Sequence, residues 1–213
     1  MSNFDLIIFD CDGVLVDSER LAVSTESKIL AELGWPLTES EIITRFVGRS
    51  PADMRREIET QLGRPVDWEN VFEARYREVF ERELTAVPGV AEALRLIDVA
   101  TCVASSGDHV GIRFKLALTG LLGHFDGRIF SAQDVERSKP APDVFLHAAR
   151  EMGADPRRCA VIEDSVSGVT AGVAAGMRVY GFSGSVTSSQ SLVAAGATPF
   201  LDMRDLPTLL SAT

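Results

Sequence analysis

From about Pro88 onward, short apolar runs alternate with stretches patterned for helix, and this alternation narrows the possible architectures more than any other feature of the chain. The apolar runs are Cys102-Val103-Ala104, Ile129-Phe130, residues 159–162, residues 179–182 and Phe200-Leu201; helical patterns lie near 89–97, 109–119, 142–152, 165–176 and 188–195. Strands joined by helices cross over with one hand, which gives a mostly parallel sheet covered on both faces. Leu6-Ile7-Ile8-Phe9, near the start, is apolar without alternation, as a strand buried on both faces must be. The expectation is an α/β protein with a doubly wound parallel sheet.

The segment between that first strand and Pro88 reads differently. Thr38-Glu39-Ser40-Glu41 has the form of a capping box, with Leu37 and Ile42 spaced as a hydrophobic staple. Ile42, Ile43, Phe46 and Val47 make one helical face that Gly48 ends. Ser50-Pro51 restarts a helix striped by Met54, Ile58 and Leu62, and Asp67 caps another bearing Trp68, Phe72, Tyr76 and Phe80. Leu21, Ile29, Leu30 and Leu33 suggest one more upstream. Four helices with short joints predict a helical bundle inserted after the first strand.

Composition excludes several functions. In 213 residues, 31 acids outnumber 21 bases for a net charge of −10, which disfavours nucleic acid or an anionic membrane as a partner. It leaves room for a small phosphorylated metabolite if a metal and a few donors invert the local field. Cys11, Cys102 and Cys159 are too scattered for a disulfide framework or zinc site. A cysteine-dependent phosphatase would need Arg six residues beyond its nucleophile, where Asp17, Asp108 and Ser165 stand. The N-terminus lacks a basic leader, and the longest uncharged stretch, 179–201, is rich in Ser, Thr and Gly. A cytoplasmic protein is expected, monomeric or a small homo-oligomer.

In open parallel sheets, ligands bind beyond the carboxyl ends of the strands. The polar residues that follow the strand runs are Asp10-Cys11-Asp12-Gly13, Ser105-Ser106-Gly107 and Glu163-Asp164-Ser165, with Ser138-Lys139-Pro140 ahead of a helix. Asp10 and Asp12, two residues apart in an extended segment, point to one side. Two adjacent carboxylates do not both ionise easily without a cation, so one can serve as nucleophile and metal ligand while the other moves a proton. An Asp pair, a Lys or a Ser taken singly is most often a solvated loop, surface or capping residue. Their joint order at successive strand ends predicts a metal-plus-phosphate site.

Four segments, DCDGVLVDS (Asp10 to Ser18), ASSG (Ala104 to Gly107), SKPAPDVF (Ser138 to Phe145) and EDSVSGVTAGVAAGM (Glu163 to Met177), resemble the four motifs of the haloacid dehalogenase-like hydrolases. They are most similar to the branch of β-phosphoglucomutase and small sugar-phosphate phosphatases. The resemblance implies a Rossmann-like core of residues 1–18 and 85–213 and a helical cap of residues 19–84. It makes Asp10 the nucleophile and Asp12 the general acid and base. Ser105 would hydrogen-bond the phosphoryl oxygens, and Lys139 would balance their charge. Mg²⁺ would be held by Asp10, the Asp12 backbone carbonyl and Asp164, with Glu163 in support. Gly13 would let the backbone approach the phosphate, and Ser106 would assist Ser105.

Departures from the pattern favour a phosphatase acting on a sugar, polyol or sugar-acid phosphate. Dehalogenases lack the acid at the Asp12 place. The alternative, a sugar phosphomutase, has a cap histidine and a phosphate-binding lysine where this chain has Ala22 and Asp108. Phosphonate-cleaving relatives use a cap lysine, and Lys28 is the one lysine in the cap. Arg45 and Arg49 are the expected basic contacts from the cap to the substrate. Gly168, Gly172 and Gly176, at spacing four, predict close packing of a helix on the sheet.

Overall fold

A computed structural model describes residues 4–47, 51–184 and 186–212. The described residues build six strands and ten α-helices. β1 (Leu6–Phe9), β2 (Ala100–Ser105), β3 (Ile129–Ser131), β4 (Cys159–Glu163), β5 (Arg178–Phe182) and β6 (Thr198–Phe200) form one parallel sheet in the order β3-β2-β1-β4-β5-β6. All four residues of β1 are buried, which explains its unbroken apolar run. The order in which strands are added reverses at β1, between β2 and β4, and such a switch point opens a crevice at the carboxyl ends. In register, Phe9 pairs with Val103 on one side and Ile162 on the other. Asp10, Ala104-Ser105 and Glu163 therefore leave the sheet side by side.

The core helices are α5 (Val90–Leu96), α6 (His109–Leu118), α7 (Asp143–Glu151), α8 (Val166–Ala174), α9 (Ser189–Ala195) and α10 (Leu206–Ser211). Successive β1 side chains go to opposite faces. Ile7 and Phe9 join Ile112, Leu116 and Leu206 in one core cluster. Leu6 and Ile8 join Val144, Phe145 and Val169 in the other. Cys11, Cys102 and Cys159 are buried and unbridged. β6 lies slightly earlier than expected, and Leu201 points outward at 71% exposure. α10 was not foreseen, because its two buried leucines, Leu206 and Leu210, are too few to establish a period. No described helix is long and apolar enough to cross a membrane.

α1 (Ser18–Glu32), α2 (Glu39–Phe46), α3 (Pro51–Leu62) and α4 (Ala74–Glu83) enclose a third cluster of their own, centred on Ile29, Leu30, Ile42, Ile58 and Phe72. The capping box forms as expected: Glu41 N donates to Thr38 Oγ1 at 3.3 Å, and Thr38 N donates to Glu41 Oε2 at 2.9 Å. Leu37 and Ile42 are both buried in this cluster. The Gly48 stop and the Ser50 cap lie outside the described residues. The helix capped by Asp67 opens with one π-helical turn, Glu69–Glu73, before continuing as α4. There Trp68 stacks on Phe72 with ring centroids 4.1 Å apart.

Candidate active site

Lys139 gathers the strand ends. Its ammonium donates to Asp10 Oδ1 at 2.6 Å, to Glu163 Oε1 at 2.8 Å and to the Ala104 carbonyl at 3.0 Å. Three donors meet three acceptors from three strand ends, so the ammonium is fixed in position. No hydrogen bond from the described residues holds Asp10 Oδ2. Asp12 is held differently: Lys115 of α6 and the Ser18 hydroxyl, at 2.5 Å, both donate to its Oδ1. Gly13 has φ +73°, a left-handed turn that glycine adopts without strain. Its N–H donates to Val16 O at 2.9 Å, and it does not line the cavity.

Beyond β4, Ser165 caps α8 by accepting from Gly168 N at 3.0 Å. That leaves the neighbouring acids to other work. Glu163 Oε2 accepts from Asp164 N, Ser165 N and Ser165 Oγ at 2.9 to 3.0 Å. With Oε1 taken by Lys139, Glu163 stands behind the site as a brace and offers no free oxygen. Asp164 is 1% exposed, and its Oδ2 is buried without a hydrogen-bond partner.

Burial first, and then the neighbouring charges, sets the proton affinities. Asp10 is pushed up to about 7: burial dominates, Lys139 opposes it, and the Glu163 and Asp12 carboxylates add to it. Asp164 is raised well above the usual carboxylate value by burial, and then by the carboxylates of Glu19, Glu163 and Asp10. Burial acts on Asp12 in the same sense, but Lys115 beside it outweighs burial, helped by Ser18 and Lys139, and the net shift is downward. Lys115 and Lys139 are buried yet raised, because burial is outweighed by the carboxylates each one faces.

These residues fit a small divalent cation. Asp164 Oδ2 is a buried oxygen without a hydrogen-bond partner, and burial, with the neighbouring carboxylates adding to it, holds Asp10 and Asp164 up. Among the described residues, no three His, Cys, Asp or Glu side chains close around a metal position. Mg²⁺ does not ask for that: one or two carboxylates suffice, the remaining positions going to water and substrate phosphate. Asp10, Asp164 and the Asp12 carbonyl are the natural set.

A cavity of about 730 Å³ lies between these strand ends and the helical bundle. Asp10, Asp12, Ser105, Ser106, Lys139, Glu163 and Asp164 all line it. Ser105 is 1% exposed and accepts from Gly107 N at 3.1 Å. Arg45 is not on this wall. Its guanidinium lies 5.7 Å from the Trp35 ring centroid and 3.4 Å from Glu57 Oε1. Arg49 lies outside the described residues. Besides Lys139, the cations that line the cavity among the described residues are Lys115 and Arg77, the latter resting over Phe114 of α6 at 5.1 Å. Sequence reading missed both, although a signal existed: Asp108, Gly111 and Lys115 sit at i, i+3 and i+7 on the helix that follows a strand end.

Comparison with known proteins agrees with this geometry. Residues 4–176 match the haloacid dehalogenase-like hydrolase family. The chain is 30% identical to a 6-phosphogluconate phosphatase of Escherichia coli, over all of this chain and 97% of that one. It superposes on a conserved haloacid dehalogenase-like protein of unknown function from Agrobacterium tumefaciens with a TM-score of 0.87 at 38% identity, covering 98% of each chain. A hydrolase of the same family from Deinococcus radiodurans, solved with bound phosphate and sodium, gives a TM-score of 0.82 at 32% identity over 100% of this chain and 97% of that one. With its four motifs converging at the ends of a parallel sheet, the chain belongs to the haloacid dehalogenase-like hydrolases.

Proposed function

We propose that the protein is a Mg²⁺-dependent phosphatase of a small phosphomonoester, a sugar, polyol or sugar-acid phosphate, acting through an aspartyl-phosphate on Asp10. The observation that carries this reading is the lysine-braced carboxylate: Lys139 fixes Asp10 Oδ1 at 2.6 Å and leaves Oδ2 to attack. Residues 19–84 act as a cap over a core of residues 1–18 and 85–213, excluding water while the intermediate exists. The phosphatase name of the Escherichia coli relative and the phosphate bound to the Deinococcus radiodurans hydrolase support the substrate class.

Asp10 Oδ2 forms the new bond to phosphorus as the bond to the leaving alcohol breaks, and Asp12 protonates the departing oxygen. In the second half, Asp12 takes a proton from water. The water oxygen attacks phosphorus and restores the Asp10 carboxylate. Lys115 holds Asp12 as a carboxylate, which is the form the second half needs. For the first half, Asp12 must first gain a proton, from solvent or from a monoanionic phosphate ester, and Lys115 must give up its place at Oδ1 to the leaving oxygen. Bound Mg²⁺ supplies charge neutralisation of the phosphoryl oxygens and eases the approach of Asp10 to an anion. Ser105 and Ser106 orient those oxygens.

Two positions weigh against a mutase. Ala22 and Asp108 both line the cavity, where that reaction has a histidine and a lysine. Asp108 caps α6, accepting from Gly111 N at 2.7 Å, which accounts for an acid at that place. The decisive experiment is a panel of phosphate esters with Mg²⁺, together with Asp10→Asn and acid-quenched mass spectrometry. Phosphate release, its loss by at least a thousandfold in the variant, and a phosphoryl adduct on the Asp10 peptide are expected. Undiminished hydrolysis by Asp10→Asn would overturn the reading.

A further inference from the structure

The cap wall of the cavity carries one side chain whose chemistry the phosphoryl half of the reaction leaves unexplained. Glu26 of α1 is 8% exposed and lines the cavity. Tyr76 of α4 donates its hydroxyl to Glu26 Oε1 at 2.7 Å. Among the described residues, no hydrogen bond reaches Oε2. A carboxylate buried in an apolar cap costs stability unless its acceptors are used, and α1 and α4 hold this one with half its capacity open toward the substrate.

Its place along α1 sets what it can meet. Glu19, Ala22, Val23 and Glu26 face the cavity at i, i+3, i+4 and i+7. Ser18, beside Glu19, bonds Asp12 at 2.5 Å. Seven residues of helix run roughly 10 Å, so Glu26 stands about that far from the reacting carboxylates. Ala22, between Glu19 and Glu26 on this face, presents only a methyl group to the cavity. A leaving group of sugar length bridges the gap, and its far hydroxyl donates to Glu26 Oε2.

Charge then chooses among sugar-length tails. Glu73, which accepts from Trp68 Nε1 at 3.1 Å, adds a second carboxylate to the same wall. Lys115 and Lys139 are already bonded to Asp12 and Asp10. Arg77 remains, resting on Phe114. A second phosphate or a carboxylate at the far end of the substrate would face Glu26 across a low-dielectric gap, whereas hydroxyl groups find acceptors there. We infer that Glu26, oriented by Tyr76, is a specificity-determining residue that selects an uncharged polyhydroxyl leaving group and rejects one with a second anion. The inference rests on the phosphatase reading above and narrows it.

The test uses four esters with the full-length enzyme and Mg²⁺: a hexitol phosphate, a sugar-acid phosphate, a hexose bisphosphate and p-nitrophenyl phosphate. The hexitol ester should show the highest kcat/KM of the three sugar-sized esters. Glu26→Gln should raise its KM about tenfold or more. Glu26→Lys should lower the ratio of kcat/KM for the hexitol ester over the sugar-acid ester by roughly a hundredfold. Tyr76→Phe should lower that ratio in the same direction by a smaller factor. A ratio of two substrates does not depend on how much variant is folded, so a purely structural role would leave it unmoved. If wild type hydrolyses p-nitrophenyl phosphate but prefers the sugar-acid ester or the bisphosphate, the inference falls while the phosphatase stands. If Glu26→Gln matches wild type on the hexitol ester, it falls likewise. If wild type hydrolyses none of the four, both fall together.

Discussion

Lys139 and Lys115 divide the two reacting carboxylates between them, and their burial makes each a fixed charge. Lys139 has no spare donor after Asp10, Glu163 and Ala104, so on the proposed mechanism it would orient the nucleophile without being consumed in proton transfer. Lys115 controls Asp12 by proximity. Replacing it as Lys115→Met removes the main cause of the downward shift at Asp12. The basic limb of the kcat/KM profile, set by the protonated Asp12 that the first half uses, should therefore move to higher pH, read from rates between pH 4 and pH 9; an unmoved limb would show that Lys115 does not govern Asp12. Asp10, Asp12, Ser105 and Asp164 were legible in the sequence because a residue at the end of a buried strand has little choice of position, and Lys139 because Ser138-Lys139-Pro140 stands directly ahead of a helix. Lys115, Arg77 and Glu26 act through the face of a helix, a placement that strand ends do not reveal. Arg45 was misjudged because an arginine at a helix end satisfies itself equally well on a tryptophan and a glutamate, as it does here with Trp35 and Glu57.

At the scale of elements, α8 shows why its glycines are there. A Cβ on Gly168 would lie 1.7 Å from Glu163 Oε1, and one on Gly172 would lie 2.7 Å from Val179 Cγ2. Gly172 is the close contact of helix on sheet that the spacing predicted. Gly168 instead makes room for the brace behind Lys139. Gly176 belongs to neither: it ends the helix with φ +74° and open space around it. Gly168→Ala should therefore displace Glu163 and, through it, Lys139. Activity is expected to fall by two or more orders of magnitude with a loss of stability of about 3 kcal/mol or more, as for a broken buried charge pair. Gly176→Ala should cost about 1 kcal/mol from the left-handed backbone alone. Chemical denaturation and turnover of the two variants, compared side by side, check this ordering. Helix existence was legible from period and caps throughout the bundle. The π-helical turn at Glu69–Glu73 was not, since the apolar period of the segment reads the same for either helix.

Over the whole molecule, the net charge of −10 conceals a local problem. Asp10 binds a proton up to about pH 7 in the folded chain against an ordinary 3.8, and Asp164 is shifted the same way. Between those values the native state holds more protons than the unfolded one, so metal-free stability falls as pH rises through that window. Asp12, shifted downward, acts oppositely, and its contribution is lost only at pH below the ordinary value. A divalent cation removes the penalty on Asp10 and Asp164. Added Mg²⁺ should raise Tm more at pH 8 than at pH 5, and EDTA should reverse the gain; an equal shift at both pH values would argue against these carboxylates as the site. Layering and parallel strands were legible from alternation. The strand order was not, because apolar runs alike in composition do not say which neighbours they pair with.

That order has a consequence for how the enzyme comes into being. β1 is translated first yet pairs with β2 and β4, which arrive after residue 100 and residue 159. Asp10, the proposed nucleophile, is made well before the brace Glu163 and Asp164. A nascent chain holding Asp10 alone has an unpaired edge on each side of β1 and no lysine to orient its carboxylate. On the proposed reading, a chain that stops before β4 lacks both the brace and Asp164 and cannot complete the site.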